Sequence, residues 1–339
     1  MKLLVVLMKF DYGQENRGFS YEYVNLYGPL QDVLGTENVQ IYDFYTRYKS
    51  LGKTGMNAEL LATVKEEKPD VTLFCLFEEE FDEKIVSELK SYTKTIAYFF
   101  DDPWRQKYAR RWIQHFDWFS TPDYYMYQTY LMEGIKNVIH SPFGFNENLY
   151  KRKPQEMKYD VSFVGGFNPL RAWVIKYLNK HGIKTAVFGR GWGDNYSWVT
   201  TEGMVDVFNS SRINLNISNS ISYEPGYLLS TMFSVKGLKG LLLNQKNKEQ
   251  VKGRHYEING CGGFQLSYFV PGLNMAYSID KEIAVYEDIR HLPEAIKFFL
   301  TNNKLREEIA NAGYERSIKD HKAQEYLKKL LQQVTGKQL

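Results

Sequence analysis

Short runs of consecutive apolar residues alternate along the chain with longer stretches whose apolar positions recur every three or four residues. In the first part the runs fall at 3–8, 39–42, 71–77, 95–100, 118–120 and 138–140, with helical spacing at 21–34, 58–67, 80–91, 105–115 and 122–133 between them. A strand that is apolar on both faces is covered on both faces, and strand–helix alternation of this kind predicts a parallel, doubly wound sheet. A second series begins at Tyr159: strands from 159, at 185–188, 213–217, 240–243, 264–269 and 282–286, and helices at 169–180, 292–300, 305–312 and 324–334. Gly313 is read as the stop of the third of these helices, and the polar stretch 218–230 as a loop. Between the series, Pro142, Gly144 and the cluster Lys151-Arg152-Lys153-Pro154 mark a crossing between domains. The expectation is an α/β protein of two facing, doubly wound Rossmann-like domains, 1–150 and 151–320. A helix in 321–339 returns toward the first domain.

Length agrees, since 339 residues exceed one ordinary α/β core and suit two. A formal charge of +3 is too small to argue for nucleic acid. The 26 tyrosines suit contact with sugars or bases, and equally suit ordinary packing. Two cysteines, Cys75 and Cys261, both in apolar stretches, form neither a disulfide framework nor a zinc pattern, which fits a reducing cytoplasm. The apolar core after Lys2 is cut short by Lys9 and Asp11. It is too short for a signal peptide or a membrane span, so a cytoplasmic location without membrane insertion is expected.

Chemistry concentrates where strands end, because ligands of open α/β sheets bind outside the carboxyl ends of the strands. After the first strand, residues 9–20 (KFDYGQENRGFS) carry Gly13 and Gly18 for close backbone approach and Ser20 to cap the next helix. This is no GxGxxG, so a nicotinamide site is not supported. After the fourth strand, Asp101 and Asp102 precede Pro103 and Trp104. The pair can supply a base or orient hydroxyls, or simply cap the helix that Pro103 opens. In the second series Gly165 and Gly166 end a strand before a helix with Arg171 in its first turn, an arrangement that can receive phosphate. Trp192, within Gly189-Arg190-Gly191-Trp192-Gly193, can cover a base or sugar ring as a mobile side chain, or equally form a hydrophobic lid with no ligand. Residues 254–266 (RHYEINGCGGFQL) put Arg254 and Glu257 on one helical face, then glycines to end the helix, then a buried strand.

These last motifs carry a resemblance. Val161-Ser162-Phe163-Val164-Gly165-Gly166 with Arg171, Phe188-Gly189-Arg190-Gly191-Trp192, Arg254-His255-Tyr256-Glu257-Ile258 with Gly260, Glu282-Ile283-Ala284-Val285-Tyr286 and Ile309-Ala310-Asn311-Ala312-Gly313 occur in the order found in CgeB-like glycosyltransferases. The second domain of that group is similar to family 4 glycosyltransferases of the GT-B fold. The resemblance spans about 159–321. In the first half only residues 17–22, with Arg17 and Gly18, and the Phe99–Pro103 turn look family-like.

The resemblance implies a nucleotide-diphosphate sugar as co-substrate, held mainly by the second domain, and no metal or other cofactor. Glu257 then matches the glutamate that accepts the ribose hydroxyls, a task suited to two acceptor oxygens. Glu249, eight positions earlier, stands where related enzymes contact the donor sugar, although the usual glycine-rich context is absent. Arg254, with Lys252 or Arg171, would stabilise the departing diphosphate. Asp102 or Asp101 would receive the acceptor proton or orient the acceptor, with Arg17, Gly18 and Trp104 on the acceptor side. The expected reaction is transfer of a hexose-type sugar to a hydroxyl acceptor, with retention and without metal. A sugar-nucleotide epimerase, a non-catalytic nucleotide- or glycan-binding protein and, last, a phage-type DNA-base glucosyltransferase are the alternatives.

Overall fold

The computed structural model describes residues 1–194, 196–220, 222–232 and 246–339. The strand expected at 240–243 lies outside them. The chain divides into two compact units, Met1–Asn146 with Lys322–Leu339, and Glu147–His321.

The first unit is a parallel sheet of β1 (Leu3–Leu7), β2 (Val39–Asp43), β3 (Val71–Phe74), β4 (Lys94–Tyr98), β5 (Trp118–Thr121) and β6 (Val138–His140), in the order β2-β1-β3-β4-β5-β6. The two-residue period of a strand divides the apolar run of β1 between two cores. Leu4 and Val6 join Met56, Leu60, Val64, Val86, Leu89, Trp112 and Tyr130 from α2 (Phe44–Glu67), α3 (Glu83–Leu89), α4 (Gln106–Ile113) and α5 (Tyr124–Met132). Leu3, Val5 and Leu7 join Leu30 of α1 (Gly28–Leu34) and Leu327, Leu330, Leu331 and Val334 of the C-terminal helix Ala323–Thr335. That helix therefore completes the first sheet's second face.

Two helical expectations change in detail here. The 58–67 stretch is only the latter part of α2, whose earlier turns are bent off at Gly52, φ 70°. The 21–34 stretch opens with a π-helical segment, Tyr23–Tyr27, before α1. The amide of Tyr23 bonds Ser20 Oγ at 3.1 Å, so Ser20 does cap the segment.

The second unit holds five described strands, all parallel: β7 (Tyr159–Val164), β8 (Ala186–Phe188), β9 (Ser211–Asn216), β10 (Gln265–Tyr268) and β11 (Ala284–Tyr286), ordered β11-β10-β9-β7-β8. Its helices include α6 (Pro169–Lys180), α7 (Thr201–Asn209), α8 (Pro225–Met232) and α9 (Gly253–Gly260). The polar 218–230 stretch thus contains a helix, started by the Tyr227 amide donating to Glu224 Oε2 at 2.6 Å. Buried polar residues within the sheet satisfy one another: Ser162 Oγ donates to Asn214 Oδ1 at 3.2 Å, and Asn216 Nδ2 to Gln265 Oε1 at 3.4 Å.

The glycines after α9 end it as expected. Gly262 takes φ 72°, and the Gly262 and Gly263 amides return to Asn259 O and Ile258 O at 2.9 and 3.1 Å. Gly313 ends nothing. Helix Asn303–Asp320 runs through it, because a Cβ there would lie 2.2 Å from Glu282 O, and hydrogen is what lets this helix pack so close. A glycine inside a helix can be a packing requirement as well as a stop.

Candidate functional site

The five described strands of the second sheet are parallel, so their carboxyl ends open on one edge: Val164, Phe188, Asn216, Tyr268 and Tyr286. Arg171, on the first turn of α6, lies across this edge half-buried. Its Nε donates to Ile217 O at 3.1 Å and its Nη1 to Gly166 O at 3.0 Å. Both acceptors are neutral carbonyls, and among the described residues no carboxylate pairs with this guanidinium. Burial pushes it down to about 10, with a smaller push from Arg254, while Tyr268, Glu249 and Tyr286 hold it up. Opposing shifts of that kind place Arg171, Glu249 and the two tyrosines in one electrostatic cluster. Tyr286 donates to Asn216 O at 3.1 Å, and Tyr268 to the backbone of Gln250 at 3.4 Å, which fixes both rings at the strand ends.

Glu249 reaches the same cluster. Its Oε1 accepts from Ser218 Oγ, whereas its buried Oε2 has no hydrogen-bond partner among the described residues. Burial raises this carboxyl, and Lys252 and Arg171 act the other way. An orphaned buried carboxylate oxygen costs about 1–3 kcal/mol or more, so a bound hydroxyl donor would be strongly favoured there. Lys252, immediately before α9, donates Nζ to Asn219 Oδ1. Its backbone N lies 3.0 Å from Nδ1 of the fully buried His255, whose imidazole burial pushes down to about 3, so it is neutral.

The Arg254–Glu257 pair shares one helical face as expected, and that face is turned inward. The two side chains do meet, Nη1 to Oε2 at 2.7 Å, but Glu257 is only 2% exposed. Burial raises its carboxyl, opposed by Arg254 and by the Tyr150 hydroxyl. Arg254 lies 5.1 Å from the ring centroid of Phe208 and also touches Met204 of α7. This is an inward, desolvated pair that fastens α9 to α7, not a surface one.

The Gly165–Gly166 turn is likewise more occupied than expected. Gly165 N–H donates to Phe188 O at 2.8 Å, Phe167 N–H to Arg190 O at 2.8 Å, and Leu170 N–H to Asn168 Oδ1 at 2.9 Å. Gly166 is its open point, the nearest neighbour to a Cβ there being Arg190 O at 3.9 Å. Trp192, expected as a mobile cover, is tethered: Nε1 donates to Gly165 O at 2.8 Å, and its ring packs among Phe163, Phe167 and Tyr196.

The carboxyl edge of the first sheet has the opposite character. Asp101 is half-buried and accepts from Trp104 Nε1 at 3.2 Å. Asp102 is fully buried, takes the Tyr130 hydroxyl, and is pushed by burial up to about 6 against Tyr130 and Thr121. Of the adjacent pair, Asp101 is the one that meets solvent, and it makes no side-chain cap to the following turn. Arg17 pairs with Asp11 at 2.6 Å and lies over the Tyr12 ring at 4.9 Å. Gly18, φ 84°, closes this loop, its carbonyl accepting from the Asp11 amide at 3.0 Å.

One residue of the family-like stretch 17–22 has no role assigned from the sequence. Glu22, half-buried at the start of the π-helical segment, is pushed by burial up to about 7, with Asp11 adding to the shift and Ser20 opposing it. Phe10, Phe19, Tyr23 and Tyr27 stack beside it at 5.3, 4.4 and 5.2 Å, with Phe19 half exposed. A carboxyl at the third position of a helical stretch looks like any helix-start acid. Its burial, next to a π-helical segment of a kind often found at functional sites, distinguishes it.

Among the described residues no group of three or more His, Cys, Asp or Glu side chains is placed to hold a metal ion, and no helix is long and apolar enough to cross a membrane. Cys75 and Cys261 are free and buried.

Residues 171–332, which contain Arg171, Glu249, Lys252, Arg254 and Glu257, match the family described as glycosyl transferase-like. A search of curated proteins found none that matches the sequence. Among solved structures, the Anabaena protein HepE in complex with UDP-glucose shares 9% identity over 99% of this chain and 100% of its own, with a TM-score of 0.66. Sucrose-phosphate synthase from Thermosynechococcus elongatus gives 10%, 99%, 100% and 0.67, and a glycosyltransferase from Rickettsia africae 8%, 99%, 98% and 0.59. At such identities the likeness is one of fold. The chain has an α/β fold of two parallel sheets like that of GT-B glycosyltransferases, and its segment 171–332 is glycosyl transferase-like in sequence.

Proposed function

We propose that the protein is a glycosyltransferase that moves a hexose-type sugar from a UDP-sugar to a hydroxyl acceptor. The observation that carries this reading is Arg171, a half-buried guanidinium at the carboxyl edge of the second sheet whose side-chain bonds go to neutral carbonyls. A cation held in that way is matched by an anionic ligand, and a diphosphate supplies the charge. The glycosyl transferase-like match of the surrounding segment and the UDP-glucose complex of HepE support the same choice.

In this reading Arg171 and Lys252 take the diphosphate and stabilise the charge that grows on it as the glycosidic bond breaks. Glu249 accepts sugar hydroxyls through its orphaned oxygen. Glu257, already engaged by Arg254 and Tyr150, sets the ribose side through the position of α9. Arg254 is a positioning residue of that helix, and Gly166 gives the backbone access that a phosphate needs. Asp101 and Glu22 serve the acceptor, with Arg17, Gly18 and Trp104 shaping their loops, while Asp102 supports the turn from within. The resemblance of the sequence motifs to family 4 glycosyltransferases supports retention of configuration and charge neutralisation by these cations without a metal.

The test is calorimetric titration of UDP into the full chain, followed by incubation with UDP-sugars and a panel of hydroxyl acceptors. UDP binding lost in Arg171→Gln, with a glycosylated product from the unaltered protein, is the expected result. Conversion of the donor without any acceptor would instead mark an epimerase.

A further inference from the structure

The second unit has a cavity of about 590 Å3 that the carboxyl-edge site does not use. It is lined by Ser211 and Arg212 at the start of β9, by Phe264 just before β10 and by Met157 just before β7. These are amino ends of parallel strands, so the cavity opens at the opposite edge of the sheet from Arg171 and Glu249. Its charged lining is four cations, Arg152, Lys153, Arg212 and Arg306, against one carboxylate, Glu307.

The partners of those cations leave much of their charge uncompensated. Arg152 donates Nη2 to the neutral Asn311 Oδ1 at 2.7 Å and lies over the Tyr314 ring at 5.4 Å. Arg306, 8% exposed, donates Nη1 to Phe299 O at 2.6 Å. Neither forms an ion pair among the described residues. Lys153 and Arg212 do, with Asp206 at 3.0 Å and Asp160 at 3.4 Å, but both pairs are solvent-facing and therefore weak. Burial depresses Arg306, and the charge of Arg212 adds to the depression, as two guanidinium groups facing one space would. The apolar lining comes from Phe208 and Phe264, and the volume is that of an ordinary small-molecule site.

We propose that this cavity binds a small polyanion of the phosphate-ester or pyrophosphate class, at a site separate from the sugar-nucleotide edge. Planar guanidinium groups match phosphate oxygens in pairs, and the aromatic lining would hold an organic remainder.

The test titrates inorganic pyrophosphate into the full chain by calorimetry, in the unaltered protein, in Arg171→Gln and in the double variant Arg152→Gln/Arg212→Gln. Both residues of the double variant are exposed, so the fold is expected to persist, which circular dichroism checks. A Lys/Lys version of the double variant keeps the charge. Binding should survive Arg171→Gln, weaken at least tenfold in the Gln/Gln variant, and recover in part in the Lys/Lys variant. Binding lost in Arg171→Gln but kept in Gln/Gln would assign the anion to the carboxyl edge and overturn the proposal. Equal binding in all variants, or none in any, would overturn it too.

Discussion

The two sheets share one plan, parallel strands with ligand-facing carboxyl ends, yet their edges carry opposite chemistry. The second edge gathers Arg171, Lys252 and a carboxylate with an orphaned oxygen, Glu249. The first gathers Asp101, Asp11 and Glu22 beside a stack of four aromatic rings. Topology chooses where a ligand can sit, and side chains choose which ligand. A cationic edge suits a diphosphate leaving group. An acidic, aromatic edge suits a hydroxyl-bearing acceptor, whose proton needs a carboxylate.

That division can be broken most sharply at Arg171. Replacement by Gln should weaken UDP binding at least about a hundredfold, to below what calorimetry detects, since two charge-assisted bonds contribute about 1.5–3 kcal/mol each. Glu22 is the counterpart on the first edge. With a carboxyl near 7, activity should rise with pH through that value as the base form appears, and Glu22→Gln should remove the rise and lower kcat about a hundredfold, within the range of general base catalysis. Glu249→Gln should lower kcat about tenfold while leaving UDP affinity almost unchanged, because one acceptor bond to the sugar is worth about 1.5 kcal/mol.

Asp102 separates structure from chemistry on the first edge. Its carboxyl is raised from 3.8 in the unfolded chain to about 6 when folded. Its contribution to stability is therefore full below about 4 and is lost as pH rises through 6, a change of about 3 kcal/mol. Asp102→Asn should flatten that slope in denaturant melts and alter kcat less than Asp101→Asn does. The smallest effect is expected for Arg17→Ala, a two- to threefold rise in acceptor KM, because its pair with Asp11 is partly exposed.

The sequence made the sheets legible for a physical reason. Buried parallel strands must be apolar, and α6 carries Pro169 and Asn168 at its start, so residues 169–180 coincide with the observed helix. The site was legible by motif and less so by geometry. Spacing joined Arg254 to Glu257 but could not tell a surface pair from one 2% exposed, since that depends on α7 and Tyr150 packing over it. It likewise set Glu249 eight positions before Glu257 without the usual glycine-rich context, and only burial and the bond from Ser218 show that it reaches the cluster. Gly313 reads as a stop in sequence because a glycine's lack of a Cβ serves close packing as well as helix ending. Glu22 lay in the family-like stretch 17–22 but received no role, since neither its burial nor the π-helical segment that follows it is encoded in periodicity.

Calorimetric titration of UDP against the unaltered chain, Arg171→Gln and Glu22→Gln puts the contrast between the edges to its most direct test. Saturable binding that Arg171→Gln abolishes and Glu22→Gln leaves within twofold is the expected result. Binding that persists in Arg171→Gln and fails in Glu22→Gln would place the nucleotide on the first edge and contradict it.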